Sequence, residues 1–317
     1  DDFYANLAEE IPDRELGRIS SELSGDFDSN KASRQEWEEA YADGLDLLGF
    51  TYNERTQPFR GASGVTHPLL AEAATQFQAQ AFNELLPSSG PVRTVVMGNE
   101  TREKVAQARR VKTFMNYYIT SVMEEYTPDM DQMLFYLPLA GSTFKKTYYD
   151  ETLGRAVSKF VPSENLVVPY ETSDLDTCPN ITQVVRMSLN DLRKNQVAGF
   201  YRDVEVSPAQ QNTSGVGQEI DRIEGFEPNQ VDYDCTLLEC HVDLDLEGYE
   251  DLDEDGEPTG IKVPYIVTLS QDNGEVLSVR RNYQEDDTLK RKIQYFTHYK
   301  FLPGFGFYGL GLIHTIG

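Results

Sequence analysis

This sequence predicts an α+β fold, and three observations carry that prediction. Apolar residues recur every three or four positions from Trp37 to about Gly141, the repeat then shortens to two, and a QDNG turn joins two alternating runs in the last third of the chain. Helices are expected first and largely antiparallel strands second. With 317 residues, 39% of them apolar, the chain can build one elaborate domain or two modest ones.

The first 35 residues are polar and acidic, with SSELSGDFDSNKAS reading as a loop between two weak helical patterns, so 1–35 is expected to be a mobile arm. A helical part is expected over 36–140 and a β-rich part over 141–303. Trp37, Tyr41, Leu45 and Leu48 make one helical stripe. In THPLLAEAATQFQAQAFNELLP, Thr66 is placed to cap, Pro68 suits the first turn, Leu70, Ala74, Phe77, Ala81 and Leu85 form a stripe, and Pro87 stops the helix. A helix over about 101–125 carries Val105, Ala108, Val111, Met115, Tyr118 and Val122 on one face, and another is expected around Asp129 to Leu139, ending at Gly141.

Past Gly141, STFKKTYYD and AVSKFVPSENLVVP flank the turn ETLGR as a hairpin. ITQVVRMS reads as a strand running into a helix capped by Ser188 with Asp191. A polar stretch and a short helix near Ile220 precede the strands CTLLECHVDLDL, KVPYIVTLS and EVLSVRRNY. Asn273-Gly274 in QDNG suits a turn with positive φ at both positions.

Charge and motifs exclude several function classes. A net charge of -25 sets the average surface against phosphate backbones and anionic lipid. No apolar run approaches the roughly 18 to 20 residues of a membrane span, and the acidic start lacks the pattern of a signal peptide, so a soluble, intracellular chain is expected. Cys178, Cys235 and Cys240 are odd in number and lack C-x-x-C spacing. The four histidines, His67, His241, His298 and His314, are scattered, and a strand would point Cys240 and His241 to opposite faces. No nucleophile elbow, zinc motif or P-loop is present, so no catalytic residue and no cofactor are expected.

Three segments invite closer reading. GFGFYG at 304–309 matches G-x-G-x-x-G, but Phe305, Phe307 and Tyr308 would crowd a pyrophosphate, and eight residues leave no room for the helix, strand and ribose-binding acid. Gly304, Gly306, Gly309 and Gly311 are instead expected to provide a pivot, with the aromatics anchoring it. Asp251, Asp253, Asp255 and Gly256 occupy the first, third, fifth and sixth positions of a calcium loop, but Lys262 stands where the bidentate glutamate belongs. A solvated acidic hairpin tip is the expected outcome, with the three aspartates as the nearest thing to a metal site. Lys145-Lys146, Arg280-Arg281 and Lys290-Arg291-Lys292 are read as salt-bridged or solvated faces, or as contacts to an acidic partner or neighbouring subunit.

FRGASGVTHPLLAEAATQFQAQAFNELLP, LPLAGSTFKKTYYDETLGRAVSKFVPSENLVVPYETSDLDTCPNITQVVRMS, GEVLSVRRNY and FLPGFGFYGLGLIHTIG, in that order, resemble the portal proteins of tailed bacteriophages, over about Trp37 to Gly317. The resemblance implies a non-enzymatic ring, usually of twelve subunits, at one capsid vertex of the virion, through which genomic DNA is packaged and ejected. The partners it implies are further copies of the chain, the major capsid protein, a packaging terminase that hydrolyses ATP, a tail adaptor protein and DNA passing without specific binding; no membrane is involved. Residues 37–317 would be the wing, and 304–317 a junction towards a stem helix, with stem, clip, tunnel loop and crown expected beyond Gly317. Net acidity suits a conduit, because each phosphate neutralised would hinder sliding. The competing readings are an acidic, cation-binding or adhesin-like α+β module and a carboxylate-dependent hydrolase.

Overall fold

The computed structural model describes residues 3–50, 59, 63–151, 153–208, 215–225, 234–253 and 255–316. In chain order the helices are α1 (Asp13–Ser33), α2 (Gln35–Leu45), α3 (Leu69–Leu85), α4 (Arg102–Tyr117), α5 (Tyr126–Ala140), α6 (Leu189–Val197), α7 (Gly215–Glu224) and α8 (Leu312–Ile316). The strands are β1 (Ser142–Asp150), β2 (Arg155–Pro162), β3 (Leu166–Val167), β4 (Asn180–Ser188), β5 (Asp234–Leu244), β6 (Val263–Ser270), β7 (Val276–Arg281) and β8 (Phe296–Lys300). They form two antiparallel sheets, ordered β2-β1-β8 and β3-β4-β5-β6-β7, and the fold is α+β.

The chain divides into two compact units that are not consecutive in sequence, so the helical stretch before residue 140 and the β-rich stretch after it do not each make up one unit. The first holds Asp1–Asp43, Glu164–Gln294 and Phe305–Phe307; the second holds Gly44–Ser163, Tyr295–Gly304 and Tyr308–Gly317. The cause lies in β8, which pairs with the distant β1 in the register Ser142↔Lys300 and so returns the late chain to the second unit.

In the first unit the five-stranded sheet packs against α1. Leu16, Ile19, Leu23 and Phe27, spaced by three or four residues, are buried in one core with Cys240, Val242, Tyr265, Val267 and Val279. The expected mobile arm and its SSELSGDFDSNKAS loop are therefore corrected: this is one 21-residue helix despite Gly17, Gly25 and its serines. Glycine in a helix costs about 1 kcal/mol, whereas each large side chain removed from water contributes about 1.5–3 kcal/mol, so the stripe outweighs the composition. Ahead of α1, Asn6 donates from Nδ2 to the Leu277 carbonyl at 3.0 Å and accepts from the Val279 N–H at 3.0 Å, tying the N-terminal segment to β7. After it, the buried Arg34 donates to the carbonyls of Leu166 (2.9 Å) and Glu164 (2.7 Å) and lies 3.3 Å from Glu38.

Local chemistry follows the sequence closely in several places. Ser188 caps α6, accepting from the Asp191 N–H at 3.0 Å while its hydroxyl donates to the Asp191 carboxylate at 2.9 Å. The QDNG turn joins β6 to β7 as expected, but only Gly274 takes positive φ (70°); Asn273 does not, so the two-position expectation is corrected. Cys240 faces the core, while His241 meets Glu239 at 2.7 Å on the other side of β5.

In the second unit α3 and α5 cover the three-stranded sheet. Met130, Met133 and Leu134 pack with Phe77, Ala81, Phe82, Phe160 and Tyr299. Pro68, not Thr66, holds the position before α3, with no side-chain cap, and Leu85 ends the stripe exposed. Strand β2 is an edge, and alternate amides along it are occupied: Ala156 N–H donates to the Tyr118 hydroxyl (2.9 Å), Ser158 N–H to Glu125 (3.1 Å) and Phe160 N–H to Asp129 (2.8 Å). Burial would raise the Glu125 carboxyl, but its backbone bonds and the Arg155 guanidinium hold it below its ordinary value. Helix α4, capped by Thr101, departs from expectation. None of its residues is buried, and Val105, Val111 and Met115 of the expected inward face are exposed.

Candidate functional site

The glycine-aromatic run is built by close approach. None of Gly304, Gly306, Gly309 and Gly311 has positive φ, which corrects the expectation that they serve unusual backbone angles. What each lacks is room for a Cβ. Within the second unit, an added methyl at Gly311 would overlap the Leu139 carbonyl, one at Gly309 the Gly141 carbonyl, and one at Gly304 the Tyr308 carbonyl. Gly141 ends α5 at φ 80° and is itself closed in by Gly309, Leu310 and Gly311. The Leu310 N–H donates to the Leu302 carbonyl at 2.9 Å and the Phe301 N–H to Gly141 at 3.0 Å, so the run is a backbone seam. Within the first unit, Gly306 lies against the Tyr170 ring, and the Phe307 N–H donates to the Tyr170 carbonyl at 2.9 Å. Phe307 and Tyr308 are buried anchors, as expected; Phe305 is fully exposed and anchors nothing.

A polar chain lies under the seam. The Gly309 N–H donates to Ser142 Oγ at 2.7 Å, and Ser142 Oγ lies 3.0 Å from His298 Nε2. An amide only donates, so Ser142 accepts there, and the direction of its bond with His298 follows the imidazole tautomer. His298 stacks on Phe144, ring centres 4.5 Å apart. Burial, and secondarily the Lys300 charge, push its pKa down to about 3, which keeps the ring neutral at physiological pH. A serine beside a histidine is the first half of a nucleophilic set. Here Ser142 is wholly buried and its oxygen already holds a backbone amide, so the pair ties β1 and β8 to the seam. The sequence showed His298 only as one of four scattered histidines.

The basic pairs and triplet make internal contacts. Lys145 is buried, its Nζ 4.1 Å from the Tyr126 ring centre, and burial lowers its pKa to about 8 despite the opposing charges of Asp129 and Glu125. Lys146 lies over the rings of Tyr148 and Phe296. Arg280 donates to the carbonyls of Tyr4 (2.6 Å) and Phe200 (3.0 Å), and Arg281 to that of Phe3 (2.8 Å). Lys290 pairs with Asp251, Arg291 with Asp287 at 2.9 Å, and Lys292 donates to the Cys178 carbonyl at 2.8 Å.

The acidic loop is a hairpin tip closed by its own donors. Leu252 bridges Pro258, Gly256 takes φ 84°, and Asp253 Oδ1 accepts from the N–H groups of Asp255 and Glu257, both at 2.9 Å. Asp251 accepts from Thr259 at 2.7 Å besides Lys290. Among the described residues no group of three or more His, Cys, Asp or Glu is arranged to hold a metal ion.

The feature that sequence reading missed is α4. Five of the chain's 28 lysines and arginines fall within its 16 residues, against one acid, and this density, which includes the adjacent Arg109-Arg110, is the signal. Among the described residues no helix is long and apolar enough to cross a membrane. Comparison with protein families gives no match, and comparison with curated proteins gives none either.

Proposed function

We propose that the chain is the wing part of a portal-type subunit, a structural protein that assembles with further copies of itself into a ring at a capsid vertex of a virion. In this reading genomic DNA passes through the ring without specific binding. ATP hydrolysis belongs to a separate terminase, and the capsid protein and a tail adaptor contact the ring from outside. The observation that carries the reading is the seam at Gly141, Gly309 and Gly311, which closes backbone on backbone and then starts a helix at Leu312. That is the order the resemblance implies for a wing handing over to a stem. The net charge of -25 supports it further, since phosphate chains gain little from such a surface. The cation-binding alternative loses its main support, because the carboxylates of Asp251 and Asp253 already accept from internal donors.

Electron microscopy of the purified chain over a concentration series tests the proposal. Closed rings with a central opening are the expected outcome, and monomers at every concentration would overturn it.

A further inference from the structure

We propose that the exposed face of α4 is a docking surface for the acidic surface of a second copy of this chain. The inference rests on the ring-forming reading and names the surface through which copies would meet. Phe114 and Tyr117 are each 59% exposed, with Val105 and Val111 little less so. An open hollow of about 770 Å³ along the helix is lined by Arg102, Val105, Arg109, Arg110, Phe114 and Tyr117 among others. The positions recur at three, four and seven residues, so cations and aromatics share one side of the helix.

Charge selects the occupant. Arg102, Lys104, Arg109, Arg110 and Lys112 against Glu103 give α4 a net +4, which leaves -29 on the rest of the chain. Exposed cations elsewhere in the chain, such as Arg18, Arg193, Lys194 and Arg291, pair with neighbouring carboxylates, whereas Arg102, Arg109 and Arg110 are exposed and have no ion-pair partner among the described residues. A second copy brings an acidic surface at equal concentration, and beyond the roughly 8 Å screening length at physiological salt the overall repulsion of two acidic chains fades against local pairing. Nucleic acid or anionic lipid would meet the same cations. The aliphatic Val105, Val111 and Met115 beside them, however, suit a protein surface, which can bury them, better than phosphates.

The sign of the charge also fixes the symmetry. A +4 face cannot meet its own two-fold mate, so the contact joins different patches on the two copies. Contacts of that head-to-tail kind propagate, and they close into rings when the rotation permits.

The test compares three versions of the chain by mass photometry and sedimentation at low and high salt: unchanged, Arg109→Glu/Arg110→Glu, and Lys159→Glu as an exposed basic control outside α4. A photo-crosslinking residue placed at Thr113 reports what lies against the face, and circular dichroism checks folding. The expected result is salt-sensitive association of the unchanged chain and the control. The double variant should weaken it by about tenfold or more, and the crosslinks should reach acidic segments of another copy. Equal association of all three, with no inter-copy crosslink, overturns the docking surface and leaves the ring reading standing. Monomers throughout defeat both. Crosslinking only to added DNA duplex or phosphatidylserine vesicles overturns the second copy as occupant.

Discussion

Helices α1 and α4 reverse each other's expectations. The first reads as loose and acidic, interrupted by glycines and serines, yet its Leu16, Ile19, Leu23 and Phe27 are sealed against a sheet. The second has the better helix-forming sequence and an apolar stripe, yet buries nothing. Spacing tells which residues can share a face. Whether that face is covered depends on chain far away, here strands β5, β6 and β7 for α1, and such pairing leaves no mark in a local window.

The largest effect that sharpens this contrast is expected in α1. Phe27→Ala should cost about 3–5 kcal/mol in a denaturant titration; a change within about 0.5 kcal/mol would mean that the segment is an arm after all. Next comes the seam, where Gly311→Ala must displace the Leu139 carbonyl and should lower stability by about 1–3 kcal/mol, read as a fall in melting temperature.

Smaller, and dependent on pH, is the contribution of His298. Its folded pKa of about 3 lies below the unfolded value near 6.5, so the unfolded chain binds the extra proton between those limits and stability falls as pH drops through that window. Between pH 6.5 and 5.5 the loss should be about 1 kcal/mol, and His298→Gln should remove that part of the slope. Lys145→Met, replacing a buried ammonium that lies over the Tyr126 ring, should leave stability unchanged or raise it by about 1 kcal/mol, measured at pH 7. The smallest effect belongs to α4, where Phe114→Ser should shift stability by no more than about 0.5 kcal/mol while weakening self-association. A large loss of stability there would show that the face is already covered within the chain.

Much of the architecture was legible where a local rule decides it. The Ser188 cap, the β1–β2 hairpin, the Trp37 to Leu48 stripe and the QDNG turn each depend on neighbours a few residues apart. The interleaved units were not legible, because β8 pairs with β1 across a long separation. The glycine run was visible as composition, but its cause, carbonyls of Leu139, Gly141 and Tyr308 lying where methyls would go, exists only once the chain is folded. The basic residues misled for a related reason. A helix gathers on its surface cations that stand well apart in sequence, here from Arg102 to Lys112.

The occupied amides of β2 carry a consequence for how this molecule can meet others. With Tyr118, Glu125 and Asp129 already bonded to that border, a visiting strand would find no ladder there to extend, and fibre-like stacking along it is blocked. Neighbours arriving at this side must be held by side chains and charge. Bonds of that sort can be loosened by salt and remade, so a misplaced copy can let go and try again.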